Sequence, residues 1–199
     1  SGLVTTYTYD ARGRMLTSNR GGQVTTLAYR PSGQVATVTW PHGYSITYTY
    51  DAADRLSGWS DNRGASGTYQ LDAMGNRTRE EVRNAQGQQS WLLARSISEL
   101  NRVESISIGG QTTTYGYDSN GDWVRTTNGK NETDQIGLDA LRRTKVITNA
   151  ENATASQTYN ALDAVTKAID FKGVSTNYAR DAHGNATTET SPDTGTETA

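Results

Sequence analysis

The sequence predicts an all-β fold: tandem β-hairpins laid side by side as a curved antiparallel sheet. Three observations predict it. A phrase of an aromatic, Asp, two variable residues, Gly or Asp, a polar and an apolar residue returns about every 21 positions, as in Tyr9-Asp10-Ala11-Arg12-Gly13-Arg14-Met15 and Tyr50-Asp51-Ala52-Ala53-Asp54-Arg55-Leu56. The segments between phrases alternate at period two, the period of a strand. No stretch of 12 residues has helical periodicity.

The phrase sets the register. Its Asp position falls at Asp10, Arg30, Asp51, Asp72, Ser98, Asp118, Asp139, Asn160 and Asp181, at spacings of 20, 21, 21, 26, 20, 21, 21 and 21. The long fourth interval places the extra residues near Asn84–Ser90, a polar stretch that reads as a lengthened loop. Three positions on stand Gly13, Gly33, Asp54, Gly75, Asn101, Gly121, Arg142, Asp163 and Gly184. Gly, Asn and Asp tolerate positive φ best, and Asp at the first turn position with Gly at the fourth suits a type I turn. Arg142 breaks that rule, so its turn is expected to be strained or of another type.

A second turn is expected 11 to 15 residues beyond each Asp position, at Gly22, Gly43, Gly64, Gly87, Gly110, Gly129, Asn152, Gly173 and Gly195. Two turns per period leave room for two strands of about six to eight residues, so each repeat is a hairpin. Val4–Tyr9, Ser45–Tyr50 and Thr112–Tyr117 put aromatics two apart on one face, and Thr and Tyr favour strands. Ala94–Arg102 is the least strand-like part.

Side chains one before the Asp position form a predicted ladder: Tyr9, Tyr29, Tyr50, Leu71, Ile97, Tyr117, Leu138 and Tyr159. Tyr7, Leu27, Tyr48, Tyr69, Tyr115, Ile136 and Tyr178 form a companion on the same face. Met15, Val35, Leu56, Val103, Trp123 and Val165 stand five beyond the Asp position, at the other end of that seam. The array is read as residues 1–190, about nine repeats of 20–26 residues, with 191–199 a polar tail or an incomplete next repeat. Eighteen strands at about 4.8 Å would make a strip roughly 86 Å long.

Composition narrows the function. The net charge of −2 favours neither nucleic acid nor an anionic membrane surface. Hydrophobic residues are 33% and mean hydropathy is −0.74, poor for a single packed core. Without cysteine no disulfide staples the fold, and no apolar run reaches membrane-span length. The chain starts in mid-pattern and reads as a piece of a longer array.

The phrases at Tyr9–Arg14 and Tyr50–Leu56 resemble the YD repeats of Rhs proteins, of the C component of insecticidal toxin complexes and of teneurins. The likeness runs through the whole chain, weakening at Leu138-Asp139, Tyr159-Asn160 and Arg180-Asp181. It implies a β-spiral strip forming an open part of a hollow shell, or cocoon, that encloses a C-terminal toxin until delivery, often by type VI secretion. The implied partners are further YD repeats and that toxin, and the implied location is secreted or cell-surface. The Asp-Pro autoproteolysis segment of such shells is absent; Pro192-Asp193 has the reverse order.

Other chemistry finds little footing. Asp193-Thr194-Gly195 matches the short aspartic-protease signature, but that chemistry needs two carboxylates and no second copy exists. His42 and His183 lie in turns, 141 positions apart, so neither a metal site nor a nucleophile with its base is expected. The turn aspartates read as caps rather than calcium ligands, because the nine-residue Gly-rich calcium repeat is missing. Arg142-Arg143-Thr144-Lys145 and Glu80-Glu81 read as a solvated sheet face. Trp40, Trp59, Trp91 and Trp123 could stack on sugars, so an extracellular carbohydrate- or cell-surface-binding module is the alternative function. Asn76, Asn131, Asn152 and Asn185 begin Asn-x-Thr sequons. The reading is thus a non-catalytic wall segment with no cofactor and no metal. A β-propeller and a parallel β-helix are the rival folds; propeller blades would make alternate repeats differ, and helix coils would lack hairpin turns.

Overall fold

The computed structural model describes residues 4–193 and 195–198. Among these, nineteen strands belong to an open antiparallel sheet, and the sole helical element is a 3-10 turn at Pro41–Gly43. The chain divides into two compact units, Ser1–Arg102 with Ile106–Gly110, and Val103–Ser105 with Gln111–Ala199.

The first unit is a meander of β1 (Thr5–Tyr9), β2 (Met15–Arg20), β3 (Gln23–Tyr29), β4 (Val35–Thr39), β5 (Ser45–Tyr50), β6 (Leu56–Asp61), β7 (Ser66–Leu71), β8 (Arg77–Arg83) and β9 (Gln89–Ile97). Each strand pairs antiparallel with the next. β10 (Val103–Ile108) is divided between the units. The second unit continues with β11 (Gln111–Tyr117), β12 (Trp123–Thr127), β13 (Thr133–Leu138), β14 (Thr144–Thr148), β15 (Thr154–Tyr159), β16 (Val165–Ile169), β17 (Ser175–Arg180), β18 (Ala186–Ser191) and β19 (Gly195–Thr198). Each of these strands too pairs antiparallel with the next. Within 191–199, the final strand pairs Thr196 with Thr190 and Gly195 with Ser191.

Register puts two kinds of surface on the sheet. In the first unit Leu27 faces Val38, Val38 faces Ile46, Tyr48 faces Trp59 and Trp59 faces Gly67, so the aromatic and aliphatic residues share one face. The opposite face carries Thr8–Thr17, Thr17–Thr26, Thr26–Thr39 and Thr37–Thr47. Hydroxyls join Thr8 to Thr17 at 2.7 Å. The second unit repeats the division: Tyr115–Thr126, Thr126–Asp134 and Ile136–Ile147 on one face, Gln135–Thr148 and Thr127–Thr133 on the other.

There is no packed core. Leu93, 7% exposed, is the one buried large hydrophobic residue among those described. The accessible surface is 12956 Å²; a compact monomer of this mass exposes about 9,200 Å². Cohesion therefore comes from ladder hydrogen bonds and cross-strand pairs on half-buried faces.

Two expectations are corrected and two are refined. The segment after Arg83 is not lengthened: Asn84–Gln88 is a turn like the others, and the extra residues extend β8 to seven and β9 to nine. Ala94–Ile97, the part read as least strand-like, lies in that longest strand. The turn expected at Gly129 is present over 128–132, and its left-handed residue is Asn131, at φ 64°. Of the two outcomes expected at Arg142 the structure has the strained one: the turn keeps its type, with the Arg142 amide on Asp139 O at 3.0 Å, and Arg142 itself takes the left-handed φ of 63°.

Candidate functional site

Each Asp position closes its turn by the same two backbone bonds, to which Asp or Asn adds side-chain caps. Asp10 N donates to Arg14 O at 2.9 Å and accepts Gly13 N on its carbonyl at 3.0 Å. Its Oδ1 caps the amides of Arg12 and Arg14 at 2.8 and 2.9 Å. Gly13 stands at φ 77°, which makes a type I turn with a left-handed bulge residue. The strand register slips by one here, between Thr8 and Tyr9. Oδ1 of Asp51, Asp118, Asp139, Asn160 and Asp181 likewise caps two amides, and Oδ1 of Asp72 caps Asn76 N. Gly33, Gly75, Gly121 and Gly184 hold the positive-φ position at 106°, 91°, 88° and 87°.

Five of the other turns repeat this scheme, a feature the sequence reading missed. Asp61, Asn84, Asn128, Asn149 and Asp170 cap the amides two and four residues on. The signal was legible as Asp or Asn three residues before Gly64, Gly87, Asn131, Asn152 and Gly173.

The tyrosines lock one repeat to the one before. Tyr29 Oη donates to Met15 O, Tyr50 Oη to Val35 O, Tyr117 Oη to Val103 O and Tyr159 Oη to Thr144 O, all at 2.7–2.8 Å. Arg180, where the phrase lacks Tyr, substitutes: its Nε reaches Val165 O at 2.9 Å. Tyr9 is instead exposed beside Tyr7, ring centroids 6.5 Å apart. Of the companion residues, Tyr69 and Tyr178 lie under Arg77 and Arg180 at 4.0 and 5.2 Å, Tyr48 pairs across to Trp59, and Tyr115 lines a cleft.

Arginines four beyond the Asp position complete the link. Arg14 Nε binds Asp10 Oδ2 at 2.7 Å, and its guanidinium lies 4.5 Å from the Tyr29 ring centroid. Arg143 binds Asp139 through Nε at 2.7 Å, covers the Tyr159 ring at 4.4 Å and reaches Asp163 Oδ1. Arg55 pairs with Asp51 at 2.8 Å and donates to Asp72 O at 2.9 Å. These bonds hold the turn carboxylates below their ordinary pKa. The Arg14 amide dominates for Asp10 and the Arg55 amide for Asp51. Side-chain bonds from Asn76, Arg143 and Asn185 dominate for Asp72, Asp139 and Asp181. Desolvation pushes the Tyr50 and Tyr44 phenols up.

The acidic pair of β8 is not a solvated face. Glu80 and Glu81 side chains are 15% and 11% exposed; Glu80 pairs with Arg77 and Arg95, and Glu81 with Arg79 and Arg83. Consecutive strand residues point to opposite faces, so each face gains its own ion-pair cluster. Arg143 is similarly engaged, while Arg142 stays 61% exposed, its Nε 3.1 Å from Asp122 Oδ2.

The tryptophans diverge. Trp40 stacks on Tyr44 with centroids 5.4 Å apart, and Trp59 covers Gly67. Trp91 is exposed, and Trp123 lines a cleft of about 540 Å³ with Tyr115, Ile136, Ile147 and Phe171, rimmed by Asp134 and Asn149. Trp123 Nε1 is tethered to Arg125 O at 3.0 Å. Asp193 lines a smaller cleft of about 190 Å³; Thr194 of the same triplet lies outside the described residues. His42 and His183 both sit in turns, and among the described residues no three His, Asp or Glu side chains gather as metal ligands. No helix is long and apolar enough to cross a membrane.

No protein-family profile matches the chain. Over 122 residues, 61% of its length, it is 32% identical to double-stranded DNA deaminase toxin A of Burkholderia cenocepacia (strain H111), and it spans 7% of that curated relative. Among solved structures it matches TcdB2-TccC3-TEV with a TM-score of 0.70 at 13% identity, covering 96% of this chain and 13% of that one. It matches TcdB2-TccC3-Cdc42 at 0.67 and 16%, covering 94% and 12%, and the Photorhabdus luminescens Tc holotoxin pore at 0.61 and 14%, covering 94% and 13%. With tyrosine locks between repeats and side-chain caps on most turns, the chain shares the open antiparallel fold of these toxin-complex structures, the fold that the resemblance of its Tyr-Asp phrase to YD repeats implies.

Proposed function

We propose that the chain is a non-catalytic wall segment of a toxin-associated β-shell, which encloses and helps deliver a toxic C-terminal domain. The carrying observation is the 32% identity to a deaminase toxin falling on an unbroken series of YD hairpins. The segment accounts for too little of that relative to represent its activity. Its own polar side chains support the reading, because the carboxylates of the phrase are consumed in capping turns and binding arginine. The partners are then further YD repeats and the toxin, and the location is outside the producing cell or on its surface, reached by type VI secretion or a related export route. Limited proteolysis of the parent protein tests this. The toxin domain is expected to resist a protease that degrades it when free; cleavage at the free rate rejects enclosure.

A second reading, recognition of a carbohydrate, is favoured by the Trp123–Tyr115–Phe171 cleft and its rim of Asp134 and Asn149. Aromatic faces stack on sugar C–H groups, and planar polar side chains bond hydroxyls. A glycan array probed with the wild-type chain and with Trp123→Ala distinguishes it. Binding lost in the variant supports it; no binding by the wild type sets it aside.

A further inference from the structure

The strongest unassigned feature is a pocket of about 380 Å³ at the first two Asp-position turns, lined by Asp10, Arg12, Arg14, Tyr29, Arg30 and Pro31. It arises at the one repeat whose Asp position is occupied by arginine, Arg30.

Comparison with equivalent repeats shows what is unusual. Arg14, Arg55 and Arg143 each bind their own turn aspartate through Nε. The remaining Nη1 of Arg55 donates to Asp72 O, and that of Arg143 to Asp163 Oδ1. Arg14 Nη1 faces the neighbouring turn at Gly33, is shut from solvent and has no acceptor. In the Arg143 repeat the position of Gly33 is held by Asp163; here no carboxylate stands there. A buried guanidinium N–H without an acceptor is costly, and a second and third cation nearby raise that cost.

The charges give the sign and size of the missing group. Arg12 donates one N–H to Pro31 O at 3.2 Å from an exposed turn position. Arg30 spends its Nη1 on Asp54 at 3.1 Å and lies over the Tyr50 ring. Asp10 is committed to Arg14 through Nε and Nη2. Three guanidinium groups against two carboxylates leave one positive charge, which a single carboxylate matches and a phosphate dianion overshoots. Guanidinium forks bind carboxylates with directed, charge-assisted bonds.

We propose that the pocket between Arg12, Arg14 and Arg30 is a binding site for one carboxylate group, as presented by an acidic peptide side chain. The remaining N–H groups of Arg12 and Arg30, which line the pocket, supply the bonds, and the Arg14 guanidinium beneath adds its uncompensated charge.

The test is an NMR titration of the chain with sodium acetate at constant ionic strength, following arginine Nε–Hε signals and the amides of Arg12 and Gly33. Saturable shifts are expected at Arg14, with Arg55 and Arg143 unmoved. Arg30→Asp installs the residue found at the same position of six other repeats and keeps the turn; its half-saturation concentration is expected to rise at least tenfold. Arg12→Ala, an exposed substitution, is expected to weaken binding without lowering the thermal midpoint. Shifts linear in acetate, or an unchanged midpoint in Arg30→Asp, overturn the site. Inorganic phosphate saturating at lower concentration than acetate overturns the carboxylate assignment.

Discussion

Tyr50 shows how much one hydroxyl carries in a sheet with almost no core. Its ring covers the seam and its Oη satisfies Val35 O at 2.7 Å. Tyr50→Phe keeps the ring and strands that carbonyl, for an expected loss of about 1 kcal/mol in chemical denaturation. Arg142 offers the opposite test. It holds a left-handed φ of 63° that glycine adopts without steric cost, so Arg142→Gly is expected to stabilise by up to about 1 kcal/mol despite loss of the exposed contact to Asp122. Gly67 is required for space, not for φ: a Cβ there would meet Trp59 Nε1 at 2.2 Å. Gly67→Ala is expected to cost about 1–3 kcal/mol and to shift Trp59 fluorescence as the indole is displaced. Neither the Tyr50–Val35 bond nor the Gly67–Trp59 contact follows from the repeat phrase alone, because each joins residues on different strands.

At the scale of the hairpin, the turn carboxylates make stability depend on acid. Asp10, Asp51, Asp72, Asp139 and Asp181 have folded-state pKa values below 3.8. Protons therefore bind the unfolded chain more tightly, and the contribution is fully present above the unfolded value, near 4. It is lost as the pH falls through the folded values. The thermal midpoint, followed by circular dichroism, is expected to be flat from pH 7 to about pH 5 and to fall below about pH 4. Asp51→Asn, which keeps an amide cap but loses the Arg55 ion pair, is expected to lower the midpoint at pH 7 and to flatten the acid limb. An acid limb unchanged in the variant places the acid sensitivity elsewhere.

Across the whole chain, the pairing of each strand with its neighbours in sequence makes stability a sum of local terms. Deleting residues 140–160 removes one exact period and rejoins equivalent turns. The shortened chain is expected to keep its β-sheet circular dichroism and to lose denaturant m-value in proportion to length. Collapse to an unfolded spectrum would mean that the sheet depends on contacts beyond nearest neighbours. The same nearest-neighbour logic predicts that Tyr50→Phe and Tyr159→Phe, in separate units, destabilise additively.

The sequence by itself determined the all-β class, the 21-residue register, the turn positions and the face shared by the tyrosines. These are local properties: an Asp caps its own turn and period two assigns a face. The stretch after Arg83 misled because its run of polar residues carried turn chemistry, and propensity does not say how many of them the flanking strands take up. Only the tertiary structure decided which neighbour each side chain meets. Tyr50 finding Val35 O, Glu80 and Glu81 dividing between two faces, the clustering of Trp123 with Phe171, and Arg14 pointing at an empty position all depend on strand pairing across repeats. Their energies belong to pairs of residues that the fold brings together, and a one-dimensional pattern records each member without recording the pair.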